Sequence, residues 1–295
     1  MGFFNARGLS RKRLGIMGHM STTPSTTAQR VVTPRVVTVP DFLAAKSRGQ
    51  RLTMLTCYDY AMARLLDAAG VDALLVGDSL GMVVQGQPNS LAVTLDEMIY
   101  HTRLVARGIQ RSLLVADMPF MSYQVSPQQA LTNAGRLVKE AGAHAVKLEG
   151  GVRAAEAVAA VVGADIPVIG HVGLTPQSVN RLGGFRVQRD EKQLFEDALA
   201  IEKAGAFALV VECVPAALAA KLTGAVKIPT IGIGAGVGCD GQVLVMHDML
   251  GLFADLQPRF VKQYADLGAA ITNAVQAYCR EVREGVFPAT EHEFR

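Results

Sequence analysis

Short apolar runs alternate with longer amphipathic segments along most of this chain, and eight of the runs have the length and composition of strands. They cover 52–56 (LTMLT), 73–77 (ALLVG), 113–116 (LLVA), 145–148 (AVKL), 167–170 (PVIG), 207–211 (FALVV), 229–233 (PTIGI) and 242–246 (QVLVM). Most are continuously apolar rather than alternating, as parallel strands are when both faces are covered. The segments between them predict helices, so the chain reads as a series of βα units. Eight units are the number that closes a (β/α)8 TIM barrel, an α/β fold; a doubly wound open sheet presents the same local signals.

The punctuation supports this count. Thr94-Leu95-Asp96-Glu97 forms a capping box, and Ser126-Pro127 places a cap before a proline at the first helical position. Ala69-Gly70, Ala141-Gly142 and Ala204-Gly205 end helices, since glycine accepts the left-handed conformation found there. After each pair a short link leads into an apolar strand, and a carboxylate stands where that strand ends: Asp78, Glu149 and Glu212. Over 258–284, Tyr264, Leu267, Ile271, Val275, Tyr278 and Val282 recur every three or four residues. That spacing predicts a long C-terminal helix whose apolar stripe packs on the barrel wall or on another subunit.

A chain of 295 residues, half of them hydrophobic, suffices for one barrel domain. No apolar run approaches the roughly 20 residues that span a bilayer, so the mean hydropathy of +0.25 reflects a buried sheet and predicts a soluble protein. The net charge of +3 is unevenly placed: residues 1–40 hold six Lys/Arg and no acid, while the remainder has 23 basic against 26 acidic residues. The body is therefore mildly acidic, Trp is absent, and nucleic-acid binding is excluded on these grounds. Cys57, Cys213, Cys239 and Cys279 stand singly, without disulfide or zinc spacing, which fits a reducing compartment. Residues 1–40 read as a disordered or targeting leader, and 41–295 as the single catalytic domain. The expected location is cytoplasmic, or the mitochondrial matrix if the leader is a transit peptide.

Active sites of such barrels lie at the C-terminal rim of the strands. There this chain carries Asp78 and Ser79 after the second strand, Asp117 after the third, Lys147 and Glu149 on and after the fourth, His171 after the fifth and Glu212 after the sixth. Asp78, Asp117 and Glu149 offer hard oxygens without thiolates, a set that suits Mg²⁺ and leaves positions open for a 2-oxo acid. Each alone reads more readily as a helix or loop cap than as a ligand, and their gathering on adjacent strands reverses that balance. Lys147 inside a strand requires an anion, either its acidic neighbours or a substrate carboxylate. His171 is a core histidine or a donor to substrate. Glu212, after Ala208-Leu209-Val210-Val211, is the candidate general base, with a salt bridge to Lys147 as its structural alternative. Gly232-Ile233-Gly234-Ala235-Gly236 is a weak candidate for a phosphate cradle, and 173–184 is long enough for a lid with glycine hinges.

Several long stretches resemble the ketopantoate hydroxymethyltransferase family: Thr56-Cys57-Tyr58-Asp59-Tyr60, LLVGDSLGMVVQG (74–86), VADMPFMSY (115–123), VKLEGG (146–151), GHVGLTPQSVNRLGGFRVQ (170–188), ECVP (212–215) and GIGAGVGCDGQVLVMHD (232–248). The resemblance runs from about residue 40 to the C-terminus. It implies a (β/α)8 barrel that transfers a hydroxymethyl group from 5,10-methylenetetrahydrofolate to 3-methyl-2-oxobutanoate, through a Mg²⁺-stabilised enolate, to make ketopantoate for pantothenate synthesis. It also implies that Asp78 and Asp117 are metal ligands with Glu149 in the metal shell, that Ser79, Lys147 and His171 bind substrate, and that Glu212 is the base. A homo-oligomer, commonly a decamer, is implied as well. Two departures fall in loops: Gln188 leads directly to Arg189-Asp190, and Gln87-Pro88-Asn89 replaces a His-Asp-Ser/Thr-like run. A lyase or phosphonomutase of the isocitrate lyase type would use similar chemistry, but its Lys-Lys-Cys-Gly-His run is absent from the sequence.

Overall fold

A computed structural model describes residues 35–253 and 258–294. The assignment of a leader therefore lies outside the described residues as far as position 34. From position 35 the chain already belongs to the barrel, because Val37 N donates to Arg111 O and a helix starts at Val39, ahead of the expected boundary at 41.

Eight parallel strands close in chain order: β1 (Leu52–Thr56), β2 (Ala73–Val76), β3 (Leu113–Asp117), β4 (Ala145–Glu149), β5 (Val168–Gly173), β6 (Ala208–Glu212), β7 (Thr230–Ile233) and β8 (Gly241–Leu244), which pairs back onto β1. The helices are α1 (Val39–Ser47), α2 (Tyr60–Ala68), α3 (Leu80–Val83), α4 (Leu95–Gly108), α5 (Pro127–Ala141), α6 (Ala155–Val162), α7 (Val179–Leu182), α8 (Glu191–Lys203), α9 (Ala216–Ala225), α10 (Met246–Met249) and α11 (Leu267–Arg283). All eight expected strands are present, and the open-sheet alternative is eliminated by the β8 to β1 pairing. Four strands run one to three residues further than expected. Asp117, Glu149, His171 and Glu212 thus sit within strands rather than after them, because their backbones still pair: Asp117 lies opposite Lys147, Glu149 opposite His171, and Gly173 opposite Glu212.

Strand side chains alternate between the two faces of the cylinder. Leu52, Met54, Leu75, Val115, Ala145, Ile169, Val210, Ile231 and Val243 belong to the barrel's inner core, while Leu74, Leu114, Val146, Leu148, Leu209 and Val211 pack in the layer under the helices. Helix α1 closes the N-terminal end, where fully buried Phe42 meets Phe207 edge to face at 6.0 Å. The opposite end stays open for chemistry.

Caps form where the sequence places them. Thr94 Oγ1 accepts from Glu97 N at 3.2 Å while Glu97 Oε2 accepts from Thr94 N at 2.7 Å, and Ser126 Oγ accepts from Gln129 N at 3.1 Å. Each such cap contributes about 1 kcal/mol. Gly70, Gly142 and Gly205 have φ of 88°, 79° and 99°, which turn the chain from helix to strand. The C-terminal helix begins at Leu267 rather than 258, since Asp266 Oδ1 accepts from Ala269 N at 3.0 Å and so caps it. None of its residues is buried, and Ile271, Val275, Tyr278 and Val282 stay exposed. Packing against its own barrel wall is thereby overturned. Among the described residues no helix is long and apolar enough to cross a membrane.

Candidate active site

The same alternation that sends Val115, Ala145, Ile169 and Val210 inward sends Asp117, Lys147 and Glu149, His171, and Glu212 inward one layer higher. Asp78 and Ser79 join them from the turn between β2 and α3. All seven residues expected from sequence line one cavity of about 470 Å³ at the C-terminal end of the barrel.

At the floor, Lys147 Nζ stands 3.1 Å from Asp117 Oδ1, 3.9 Å from Glu149 Oε1 and 3.2 Å from His171 Nδ1, with its side chain 5% exposed. Burial opposes its charge, but the carboxylates of Asp117, Glu149 and Asp78 outweigh burial and raise its pKa. The expected alternative of a Glu212 to Lys147 bridge gives way to a different pair: Glu212 Oε2 lies 3.1 Å from His171 Nε2. Burial and Lys147 disfavour a charged imidazole, whereas Glu149 and Glu212 favour it, and the acids push His171 up to about 9. Nε2 bears hydrogen in either state, because a neutral ring that accepts from Lys147 at Nδ1 is protonated at Nε2. His171 therefore presents an N–H to Glu212.

The floor holds more negative than positive charge. Burial, then the neighbouring Glu149 and Asp117, push the Asp78 carboxyl up to about 8. Burial also raises Asp117, despite Lys147 and the bond from Asp78 N to its Oδ2 at 3.0 Å. Glu149 is lowered: His171, Lys147 and Gln177 N overcome its burial. Asp117 Oδ1, Glu149 Oε1 and His171 Nε2 have no hydrogen-bond partner among the described residues, although charged neighbours stand at 3.1–3.9 Å. Unneutralised carboxylates with orphaned oxygens fit a hard divalent cation, which binds through one or two carboxylates and completes its shell with water or substrate. Among the described residues no three His, Cys, Asp or Glu side chains are disposed to hold a metal ion. The expected trio is thus not assembled as a cage: Glu149 Oε2 accepts from Gln177 N at 3.0 Å and its Oε1 turns to His171 and Lys147. The carboxylate oxygens left without a hydrogen-bond partner are Asp117 Oδ1 and Glu149 Oε1, with the buried Asp78 carboxyl beside them.

Sequence reading missed Gln177 and two tyrosines. Gln177 Nε2 donates to Asp78 Oδ2 at 2.9 Å and to Met118 O at 3.0 Å, and its Oε1 accepts from Tyr123 Oη at 2.8 Å and Gln124 Nε2 at 3.0 Å. Tyr58 Oη lies 2.9 Å from Ser79 Oγ and orients that hydroxyl at the cavity wall. Their presence in the family-like motifs was the available signal; their partners lie too far along the chain to be read. The anchoring of Gln177 also revises the lid, since Leu174, Thr175 and Gln177 are buried in the site and only later residues such as Phe185 are exposed. Nor does the glycine-rich turn present a cradle: a side chain at Gly234 would meet Phe260 at 2.8 Å and one at Gly236 would meet Ala216 at 2.4 Å. Those glycines admit the protein's own side chains. The short loop after Gln188 runs straight into α8, with Asp190 Oδ1 accepting from Gln193 N at 3.1 Å as its cap.

The profile of a family described as Ketopantoate hydroxymethyltransferase matches residues 36–290. A 3-methyl-2-oxobutanoate hydroxymethyltransferase from Pelobacter propionicus is 57% identical over 261 residues, covering 88% of this chain and 97% of that protein. One from Clostridium novyi is 58% identical over 262 residues, with 88% and 95% covered. Among solved structures, a phosphonopyruvate hydrolase superposes with a TM-score of 0.60 at 15% identity over 87% of this chain and 93% of its own. A 2,3-dimethylmalate lyase does so with a TM-score of 0.57 at 16% identity, over 88% and 92%. These two likenesses establish the shared fold.

Proposed function

The chain belongs to the ketopantoate hydroxymethyltransferase family, and we propose that within this enzyme activity of pantothenate biosynthesis the one-carbon donor is 5,10-methylenetetrahydrofolate and the acceptor, 3-methyl-2-oxobutanoate, reacts as its enolate. The single observation that carries the reading is the convergence of Asp78, Ser79, Asp117, Lys147, Glu149, His171 and Glu212 on one cavity.

Each group has a task. Glu212, its Oε2 standing 3.1 Å from His171 Nε2, takes the C3 proton of the oxo acid, a role that contributes about 10²–10⁴-fold. Ser79, held by Tyr58, donates to the acid's carboxylate. Lys147 and His171 place positive charge beside the floor where oxyanion charge develops. Asp78 and Asp117 would hold a Mg²⁺, with Glu149 acting beyond them through Lys147, His171 and Gln177. When bound, the ion supplies Lewis-acid polarisation of the oxo acid's oxygens. The C3 carbanion equivalent bonds to the donor's one-carbon unit as the carbon–nitrogen bonds to the folate break; water supplies the hydroxyl oxygen, and tetrahydrofolate leaves carrying one proton from that water and the one taken from C3.

The exposed stripe on α11, formed by Ile271, Val275, Tyr278 and Val282, supports a homo-oligomer, for which the family resemblance gives a decamer. The bacterial source of the relatives favours a cytoplasmic enzyme over the mitochondrial alternative.

The test is direct. The purified chain, given 3-methyl-2-oxobutanoate and methylenetetrahydrofolate, is expected to form ketopantoate with Mg²⁺ and to stop on chelation. Equal turnover in excess chelator, or formaldehyde serving while the folate does not, opposes the reading.

A further inference from the structure

The lining of the cavity changes character toward its mouth. Its floor is made of the polar strand-end residues, whereas the loops above contribute Met82, Phe185, Val187, Phe253 and Phe260, with Arg259 as the one cation beside them among the described residues. Phe185 is 48% and Phe260 38% exposed, which places them at the entrance. A volume of about 470 Å³ lies in the range that encloses a drug-sized ligand and exceeds what a five-carbon oxo acid needs. The surplus is apolar and open, suited to a flat second reactant lying over the first.

One carboxylate stands in that apolar part. Asp248, on α10 after β8, lines the cavity and is not among the groups the reaction above employs. Among the described residues no cation or hydrogen-bond donor acts on its carboxyl; burial alone pushes its pKa, up to about 6. Ser90 Oγ, on the same cavity wall, is buried and has no partner either. Polar groups left unpaired at an apolar surface carry a desolvation cost that a ligand with matching groups relieves. Two adjacent coplanar N–H donors match a carboxylate best, as in guanidinium pairing.

We propose that this apolar mouth is the subsite for the pterin end of the folate donor, with Asp248 accepting from the exocyclic amino group and the neighbouring ring N–H, and the ring body lying against Phe185 and Phe260. The inference rests on the folate reading above. The oxo acid then occupies the floor and the donor the mouth, so the one-carbon unit enters from the solvent side.

The experiment compares wild type with Asp248→Asn in the full chain by two readouts: the KM for methylenetetrahydrofolate in ketopantoate formation, and solvent exchange of the oxo acid's C3 proton, which needs no folate. Expected is a rise of about 10–100-fold in the folate KM, the loss of a charged bidentate contact, with exchange persisting. Tetrahydrofolate binding measured by calorimetry should weaken in parallel. Unchanged folate KM and affinity overturn the subsite, as does loss of exchange, which would put Asp248 on the floor. If Asp248→Asn does not fold, Phe185→Ala, altering an exposed ring, carries the same test with an expected rise of about 3–30-fold. Wild-type protein that exchanges the C3 proton yet makes no ketopantoate from the folate would overturn the folate reading and this subsite together; wild-type turnover with an unaltered variant KM overturns the subsite alone.

Discussion

Gln177 reaches across 99 residues of sequence to give Asp78 Oδ2 a hydrogen bond of 2.9 Å, while its own backbone N–H serves Glu149 Oε2 at 3.0 Å. One residue of the β5 loop thereby fixes two of the buried acids. Partners that orient a ligand are worth about 10–100-fold in metal affinity. Gln177→Leu is expected to weaken Mn²⁺ binding by about that factor, read as free Mn²⁺ by electron paramagnetic resonance. Wild-type affinity in the variant would reduce Gln177 to a packing role.

Glu212→Gln keeps a side chain of the same shape beside His171 but cannot take a proton. Exchange of the C3 proton is expected to fall about 10²–10⁴-fold, while Mn²⁺ affinity stays near wild type because Asp78 and Asp117 are untouched. Fast exchange in the variant removes Glu212 from the role of base.

Stability has its own buried acid, far from the rim. Asp67 accepts from Gln110 N at 2.9 Å, Arg111 N at 3.1 Å and Ser112 N at 2.7 Å, and joins the end of α2 to the start of β3. Burial opposes its ionisation, yet these bonds, led by Ser112, hold its pKa below the ordinary 3.8. A depressed folded pKa means that its stabilisation is present in full above the unfolded value and is lost as pH falls through the folded one. Asp67→Ala should cost about 2–3 kcal/mol in urea unfolding at pH 7. The gap between variant and wild type should close only below about pH 4; a gap that closes between pH 7 and 5 contradicts the assignment.

On α11, Ile271 and Val275 are 53% and 54% exposed on one stripe. Paired Ile271→Asp and Val275→Asp changes are expected to leave the far-UV circular dichroism intact and to shift the sedimenting species to a smaller assembly, since charge in an apolar contact is costly. An unchanged sedimentation coefficient would show that this stripe is not the contact.

Much of the architecture was written locally. Capping boxes, helix-ending glycines and eight apolar runs each depend on neighbours within a few residues, so β1 to β8 are legible in the sequence, as is the gathering of acids at the strand ends. The strand ends were read one to three residues short because Asp117, Glu149, His171 and Glu212 look like loop residues by composition, although the neighbouring strands pair with their backbones.

The sequence by itself determined the order of the βα units, the rim at which the polar residues gather and the family to which the chain belongs, because periodicity, caps and motifs are short-range properties. Only the tertiary structure decided that Glu149 turns toward Gln177 and His171, that His171 stands against Glu212, that Asp248 lines the same cavity, and that α11 leaves its stripe uncovered. Those outcomes depend on where separate loops meet once the barrel closes, and closure is set by the packing of the whole cylinder.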